Sequence, residues 1–446
     1  MIVPSSKLLF WVAVIALPFA LLGAVVPGAG MVSLLFIAGF ALLVMADAFG
    51  AFTSLSEIGV ELPLVVRMSK GREAKLEVRI RNGRQQKKNL RLALGLPLEI
   101  RAEQMEMDTV LPAATEWSRV MWTCLPMKRG NFQIHSAFIE GLSRLGFWAV
   151  RKTMSVKSEV RVYPNLLSER KSLAALFLNR GAYGVHAQRQ VGKGRDFEKL
   201  REYVPGDGYD EIHWKATARR GKPVTKVYQV EKTQEVYVII DASRLSARVP
   251  EQSNNDPGTS VLERFVTAAL VLGLAAEQQG DLFGMLTFTD RVEKFVRAKN
   301  GQAHYSLCRD SLYTLQPKIV TPDFDEVCTF IRLRLRRRAL LIFLTALDDP
   351  ALSESFVRNI ELLRRQHLVL VNMVQPPGVK PLFSDPGVNE LDNLYQHLGG
   401  HLQWHRLREL QKVLQRRAVR FSLLENEHLS AGLVSQYMSV KQRQLL

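Results

Sequence analysis

The chain opens with two apolar stretches that a short turn separates. The first runs from Leu8 to Val26 and the second from Met31 to Phe49, with "PGAG" at residues 27–30 between them. A helix needs about 20 residues to cross a hydrocarbon core. The pattern therefore predicts two transmembrane helices within residues 1–50, at 8–26 and 31–49. A cleaved signal peptide followed by a buried helix is the alternative, which the length of the first stretch disfavours.

Residues 58–163 follow a different pattern, in which apolar and polar positions alternate. In "KLEVRIRN", Leu76, Val78 and Ile80 share one face and the charged residues share the other. Other candidate strands occupy residues 90–97, 132–141 and 159–164. Several short strands in about a hundred residues predict a small β-sandwich, with residues 142–152 as an irregular excursion within it.

From residue 234 onward, apolar β-branched runs alternate with amphipathic stretches. The first run, "EVYVIIDAS" at 235–243, ends its apolar part at Asp241. Further strands are predicted at 281–288, 292–296, 339–346, 368–374 and 419–424, and helices at 260–278, 302–315, 323–337, 351–365, 388–416 and 427–443. Continuously apolar strands between helices are typical of a parallel sheet covered on both faces. Residues 234–446 are therefore predicted to form a doubly wound α/β domain.

Charge predicts an orientation for the two spans. The formal net charge is +17, from 60 basic and 43 acidic residues. Lys7 is the only charged residue before position 47, whereas Arg67, Lys70, Arg72 and Lys75 follow the second span. Positive residues favour the cytoplasmic side, so both termini and most of the chain are predicted there, next to anionic membrane lipids. Three widely spaced cysteines fit a reducing compartment.

One segment between the two β-containing regions is unusually dense in charged and aromatic residues. It reads "GKGRDFEKLREYVPGDGYDEIHWKATARRGKP" and occupies residues 192–223. Its pattern predicts a helix over 196–203, a second helix that ends at Gly221, and a strand over 223–230 that joins the sheet beside 235–241. A connector with internal charge pairs is favoured over a ligand-binding surface, because surface charge pairs are common.

This segment, with the following strand that ends "IIDAS", resembles the "domain of unknown function 58" family. Its members are bacterial, usually membrane-anchored proteins with a von Willebrand factor A-like domain. Matching positions, which we call the signature residues, are Gly194, Asp196, Phe197, Leu200, Arg201, Tyr203, Pro205, Gly206, Asp207, Ile212, Trp214, Ala218 and Arg219. Two positions depart from the family pattern: Asp210 stands where a basic residue is common, and His213 where an acidic one is.

The resemblance implies a multi-domain protein in the bacterial inner membrane. Its parts would be the transmembrane hairpin, the β-sandwich (58–163), a signature connector (164–233) that packs the domains together, and a von Willebrand factor A-like domain (234–446). Genes of the family often neighbour those for MoxR-type AAA+ ATPases. The implied partner is therefore such an ATPase or its client protein.

A-type domains of this kind commonly hold a divalent cation at the carboxyl ends of their strands. The usual ligands are an Asp-x-Ser-x-Ser, a loop Thr and a second Asp. Here "DASRLS" places Asp241 and Ser243 in register but Ser246 one residue late, Thr321 is the loop candidate, and Ala346 replaces the second Asp. Mg²⁺ demands near-octahedral oxygen ligands. We therefore predict no bound metal, and Mg²⁺ at Asp241, Ser243 and Thr321 is the weak alternative.

The sequence contains no nucleotide-binding, hydrolase-elbow or zinc-protease motif. We therefore predict a scaffold or adaptor that is not an enzyme and needs no cofactor. Asp241, Ser243 and Ser246 would mark its partner-binding edge. Replacing Asp241 would spare stability and weaken partner capture, whereas replacing Asp207 or Arg219 would harm domain packing.

Two other functions remain open. A membrane-bound, metal-dependent hydrolase would use Asp241, Asp207 and His213. A nucleic-acid binder would use the basic runs at 332–338 and 405–417. Both runs are predicted to lie on helices whose leucines recur at core spacing, so their cations are solvated and no nucleic acid is expected.

Overall fold

The computed structural model describes residues 1–52, 54–167, 169, 191–205, 207–229, 234–249, 259–382, 384 and 391–443. The chain divides into two compact units, Met1–Asn165 and Leu166–Leu446. The finer division predicted from the sequence, with boundaries near residues 50, 58, 163 and 233, stays a prediction.

The N-terminal stretches form two helices, α1 (Ser6–Val25) and α2 (Gly30–Phe52), each long and apolar enough to cross a membrane. Their bounds agree with the predicted spans to within a few residues. In α1 a π-helical turn, Val12–Ala16, precedes Pro18. Proline has no N–H to donate, and such local adjustments are how a spanning helix accommodates it. Gly28, with φ of +96°, lies in the turn between the helices.

The rest of the first unit consists of two β-sheets. The strands are β1 (Ile2–Pro4), β2 (Ile58–Glu61), β3 (Val65–Ser69), β4 (Ala74–Asn82), β5 (Lys88–Leu94), β6 (Ile100–Ala102), β7 (Glu106–Leu111), β8 (Trp117–Pro126), β9 (Gly130–Leu142) and β10 (Trp148–Tyr163). One sheet has the order β1-β10-β9-β5-β7, with β3 also on β10, and the other β2-β4-β8-β6. Neighbouring strands are antiparallel except β3 and β10.

A shared core shows that the two sheets form a sandwich. Alternation places Leu76, Val78 and Ile80 inward, where they are fully buried in one cluster with Leu92 and Ile139 of the facing sheet. The predicted excursion over 142–152 is wrong. A tight turn there joins β9 to a long β10, which pairs with β9 from Ala149 to Val162. The prediction failed because residues outside this segment hold the turn in place, as described below.

The second unit is built on a mostly parallel sheet. Its strands are β13 (Glu235–Asp241), β14 (Leu282–Phe288), β15 (Val292–Lys299), β16 (Leu340–Leu344), β17 (Leu368–Val374) and β18 (Arg420–Leu424). Their order is β15-β14-β13-β16-β17-β18, and only β15 runs antiparallel to its neighbour within the described residues. The helices are α4 (Val261–Gln278), α5 (Gln302–Leu312), α6 (Phe324–Arg334), α7 (Pro350–Leu363), α8 (Leu391–Arg416) and α9 (Leu429–Gln442).

Helices cover both faces of this sheet. On one face, α4 and α9 pack in a cluster with Val238 and Ile240, and on the other α6 and α7 pack with Ile239 and Phe343. Successive residues of β13 thus enter opposite cores, which is why residues 236–240 of that strand are apolar without interruption. The mixed α/β sheet covered on both faces agrees with the predicted doubly wound architecture.

A separate β-hairpin carries most of the signature residues. Strand β11 (Val191–Glu202) pairs antiparallel with β12 (Val224–Gln229). The predicted helix over 196–203 is therefore wrong, and so is the predicted pairing of 223–230 with 235–241. The second predicted helix is observed as α3 (Trp214–Arg220). Gly221 ends it with φ of +67°, a left-handed conformation that glycine adopts without steric cost.

Candidate functional site

The candidate site lies where the parallel strands of the second unit end. We call it the carboxyl edge; it comprises residues 241–249, 289–293, 318–321 and 345–348. Open α/β sheets usually bind ligands at this end. Asp241 is the last residue of the central strand β13, between β14 and β16 in the sheet order, so its position agrees with the prediction from the sequence.

The Asp241 carboxylate is engaged inside the protein. Its Oδ1 accepts a hydrogen bond from the Ser243 backbone N–H (2.8 Å), and its Oδ2 accepts one from the Thr345 hydroxyl (2.7 Å). The side chain has no solvent exposure. Burial raises the pKa of Asp241, and the hydrogen bonds from Thr345 and Ser243 oppose that rise. Sequence reasoning missed Thr345, although a hydroxyl residue at the end of an apolar strand was a usable signal.

The two serines after Asp241 shape the loop. The Ser243 Oγ accepts a hydrogen bond from the Leu245 backbone N–H (3.4 Å), and the Ser246 hydroxyl donates to the Ser243 carbonyl (2.8 Å). Both serines are buried. The three side chains predicted as the partner-binding edge therefore support the surface from beneath. Whether this edge binds a partner stays a prediction.

The residues present do not fit Mg²⁺. Ala346 supplies no carboxylate, the Asp348 carboxylate pairs with the Arg248 guanidinium, and Thr321 is exposed. Protein donors already occupy both oxygens of Asp241. In the part of the chain that the structure describes, no three His, Cys, Asp or Glu residues form a group able to hold a metal ion. A Mg²⁺ ion needs several oxygen ligands in octahedral array, which this edge does not assemble.

An exposed apolar side chain stands next to this loop. Ile319 is 93% exposed and lies between two backbone hydrogen bonds, from Lys318 N–H to the Ala242 carbonyl (2.8 Å) and from Arg244 N–H to the Val320 carbonyl (3.1 Å). These bonds hold the loop before α6 against the loop after β13. The Lys318 ammonium pairs with Glu293 at 2.5 Å. Sequence reasoning missed Ile319, because exposure of one isoleucine in a loop has no periodic signal.

The signature residue Asp207 organises a turn in the hairpin. Its carboxylate accepts hydrogen bonds from the Val204 backbone N–H (3.0 Å), the Arg201 guanidinium (2.7 Å) and the Thr225 hydroxyl (3.3 Å). The Val204 N–H, followed by Arg201, lowers the pKa of Asp207. The predicted pairing of acidic and basic residues within the segment is present here. Asp207 joins the turn to both β11 and β12.

Comparison with known proteins bears on this same segment. The family model described as "Protein of unknown function DUF58" matches residues 199–381, fewer than half of the chain's residues. The predicted family is confirmed. The DUF58 match begins within the hairpin and extends through the carboxyl edge to the loop after β17. No curated protein matches the chain.

Solved structures give only distant similarity. BatB from Bacteroides thetaiotaomicron aligns at 15% identity and a TM-score of 0.29, covering 47% of this chain and 99% of that one. An aerotolerance-related membrane protein from Bacteroides fragilis NCTC 9343 aligns at 14% and 0.27, covering 46% and 97%. A fragment of native alpha-2-macroglobulin from Escherichia coli aligns at 19% identity and a TM-score of 0.20. The alignment covers 24% of this chain and only 17% of the length of that fragment. Sequence identities and TM-scores this low carry no information about the function of this chain.

The other DUF58 signature residues are distributed over the hairpin and α3. Gly194, Asp196 and Phe197 lie in β11, Leu200 and Tyr203 are half-buried, and Gly206 lies outside the described residues. Trp214 is 69% exposed and Arg219 is also exposed. Their predicted role in packing the domains together stays a prediction.

The structure does not bring the predicted hydrolase residues together. His213 begins α3, where its Nδ1 accepts a hydrogen bond from the Ala216 backbone N–H (3.1 Å). Asp207 and Asp241 each have the separate partners described above. No metal-binding group among the described residues includes any of the three.

The two basic runs have different structures. Helix α6 ends at Arg334, so the prediction that residues 332–338 lie on a helix is wrong for its second half. Leu333 is 67% exposed, against the predicted core spacing, but Leu335 of the same run is buried. Leu407 and Leu414 of the run at 405–417 are buried as predicted. That no nucleic acid binds stays a prediction.

Proposed function

We propose that this protein is a membrane-tethered adaptor that binds a protein partner through the carboxyl edge of a von Willebrand factor A-like domain. A MoxR-type AAA+ ATPase or its client is the proposed partner. The DUF58 match, the two apolar N-terminal helices and the sheet order support this assignment. The excess of cations after the second helix supports placement in the inner membrane, with the bulk of the chain cytoplasmic.

The observation that carries the proposal is Ile319. A side chain that is 93% exposed and is held by two backbone hydrogen bonds at its flanks loses little freedom when a partner covers it. Burying it would contribute about 1.5–3 kcal/mol. Arg244 is also exposed at this edge, so a complementary partner surface has an apolar pocket with carboxylates beside it.

The state of Asp241 supports binding over catalysis. A general base or metal ligand needs an oxygen that reaches the substrate or the ion. Both carboxylate oxygens of Asp241 accept hydrogen bonds from buried protein groups, and the side chain has no exposure. We therefore propose that the edge acts through its surface residues and not through Asp241 chemistry.

The experiment is a binding titration of the detergent-solubilised full chain with the purified MoxR-type ATPase of the same organism. Ile319→Asp is the test variant. Leu333→Asp is the matched control, because Leu333 is also exposed, at 67%, but lies on α6 away from the edge. Loss of the Ile319 contact should raise Kd about 10- to 100-fold. If the wild type and Ile319→Asp bind with equal affinity, the carboxyl edge is not the binding surface. If the wild type does not bind at all, the ATPase is not the partner.

A further inference from the structure

The turn between β9 and β10 lies alongside the second apolar helix. We call Ser143–Phe147 the hairpin tip. The Trp148 indole N–H donates to the Val44 carbonyl of α2 (3.0 Å), and the Ser143 hydroxyl donates to Asp47 Oδ2 (2.5 Å). The rings of Phe147 and Phe40 meet edge to face, with centroids 6.1 Å apart. The sandwich is thus attached directly to the helix.

The start of α1 also contacts the hairpin tip. The Ser5 backbone N–H donates to the Phe147 carbonyl (2.8 Å), and the Ser5 hydroxyl donates to the Gly146 carbonyl. Strand β1, just before Ser5, pairs with β10 from Trp148 to Val150. Both apolar helices therefore hold the tip, which limits how far it can move relative to them.

Helix geometry gives the depth of the tip. Counted from Gly30 at the turn between the helices, Val44 lies fourteen residues along α2 and Asp47 seventeen, or about 21 and 26 Å at ~1.5 Å per residue. A hydrocarbon core is about 30 Å thick. If the inter-helix turn lies at one surface, the contacts at Val44 and Asp47 fall within the last ~10 Å before the other.

Several polar groups of the tip are paired with other protein groups, which a low-dielectric environment favours. Asp47, 7% exposed, accepts hydrogen bonds from the Ser143 hydroxyl and from the Leu145 backbone N–H (3.1 Å). The Ser143 N–H donates to the Trp148 carbonyl (2.8 Å), and the Gly146 N–H donates to the Ser143 carbonyl (3.1 Å). Irregular backbone at membrane depth is tolerated where it is buried in protein, and Ser143, Gly146 and Phe147 of the tip are buried.

The outward side chains fit the boundary between acyl chains and headgroups. Leu145 is 53% exposed and Leu142 44% exposed. Arg144 and Lys7 are exposed beside them, with long apolar stems that let their charges reach the headgroups. Gly146, with φ of +80°, permits the sharp reversal that places Leu145 at the end of the tip.

We propose that the hairpin tip is immersed in the lipid bilayer, at the boundary between acyl chains and headgroups on the side of the β-sandwich. The sandwich is then fixed to the membrane and does not swing on a flexible tether. This inference rests on the membrane tethering proposed above. It adds a third membrane contact to the two helices.

Depth-dependent fluorescence quenching tests the inference on the full chain. A single cysteine is introduced at Leu145 and labelled with a small fluorophore, and the protein is placed in phosphatidylcholine–phosphatidylglycerol bilayers with spin-labelled lipid. The native Cys124, Cys308 and Cys328 are buried. Burial raises the pKa of these three thiols to about 11, 12 and 12, so they react slowly with the label.

Two matched leucine positions serve as controls. Leu42→Cys lies on α2 at 69% exposure, about 18 Å from Gly30, and reports insertion of the helices. Leu98→Cys is 100% exposed in the loop after β5. That strand leads away from the tip, because Leu90 pairs with Gly141 and Leu94 with Ala137. Leu98 is therefore expected to lie well outside the bilayer.

The expected result is loss of fluorescence at Leu145→Cys when the spin label is near the headgroups, loss at Leu42→Cys when it is deep, and none at Leu98→Cys. Quenching at Leu42 with none at Leu145 overturns the inference and leaves the tethering intact. No quenching at Leu42 overturns the tethering itself. In an Asp47→Ala background, quenching at Leu145 should fall, because the tip loses two of the hydrogen bonds that hold it against α2.

Discussion

Asp241 provides the sharpest test of how the carboxyl edge is built. The sequence alone suggested that replacing this residue would spare stability. The structure leads to the opposite expectation, because Asp241 accepts hydrogen bonds from the Ser243 backbone N–H and the Thr345 hydroxyl and has no solvent exposure. We predict that Asp241→Ala destabilises the second unit strongly, whereas Asp241→Asn does so only weakly.

The magnitude follows from the groups left without partners. In Asp241→Ala, two buried donors lose their acceptor, at about 1–3 kcal/mol each, and a cavity adds to that cost. The total is roughly 3–6 kcal/mol. In Asp241→Asn, the amide oxygen still accepts from Ser243 and the Thr345 hydroxyl turns to accept from the amide N–H. The loss should then be about 1 kcal/mol or less.

The native cysteines supply an assay that resolves the units. Cys308 and Cys328 lie in the second unit and Cys124 in the first, and all three are buried. Pulse alkylation across a urea gradient, read by peptide mass spectrometry, therefore gives a separate unfolding curve for each unit. The Asp241→Ala curve at Cys308 and Cys328 should move to lower urea by roughly 1 M or more, and the curve at Cys124 should stay in place.

A pH series adds a second readout. Because burial raises the folded-state pKa of Asp241, the folded protein holds this proton above pH ~4, where the unfolded chain has lost it. Wild-type stability from this group is thus present at low pH and falls, by at most about 1.4 kcal/mol per unit, as pH rises toward the folded pKa. Asp241→Asn lacks this slope. Equal stability of the Ala and Asn variants at every pH would refute the hydrogen-bond reasoning.

Three further predictions use other sites. Gly221→Ala should lower the free energy of unfolding by about 1 kcal/mol, because Gly221 has a positive φ, and amide exchange in α3 should become roughly five-fold faster. Gly399→Ala, inside a helix with open space around it, should not destabilise α8. Equal effects of the two substitutions would contradict the backbone argument. Burial lowers the pKa of His367, whose ring nitrogens have no hydrogen-bond partner among the residues that the structure describes. Its contribution to stability is therefore present above pH ~6.5 and lost as pH falls through the lowered folded-state pKa. The urea midpoints of His367→Phe should lose that slope, and those of His405→Phe, a control at an exposed site, should keep it. Mg²⁺ or Mn²⁺ should leave Tm unchanged, and a rise of several degrees would contradict the closed site at Asp241.

Sequence reasoning succeeded where burial repeats along the chain. The runs at 235–241 and 282–288 are buried at every position after the first, and mostly apolar, because a helix layer covers each face of the sheet. Alternation in β4 likewise predicted which face of that strand is buried. The apolar helices were placed to within a few residues by composition and length alone. In each case the signal lies within one segment.

The failures involve pairing between distant segments. Residues 196–203 have apolar residues at three-residue spacing, which suggested a helix, but pairing with β12 makes them a strand. The turn at Ser143–Phe147 depends on Asp47 and Ser5, which lie about a hundred residues or more earlier in the chain. No local pattern identifies such a partner, because several segments of the chain have a similar β-propensity and each could pair with the same strand.

The candidate site divides in the same way. An aspartate at the end of an apolar strand was enough to place Asp241 at the carboxyl edge of a parallel sheet. Its chemical state depends on Thr345, over a hundred residues away, and the exposure of Ile319 depends on two loops that hydrogen-bond to each other. Periodicity records which face of a segment is buried, whereas hydrogen-bond partners and exposure arise when separate segments pack. That packing makes Asp241, which the sequence placed at a partner-binding edge, a buried support for the edge.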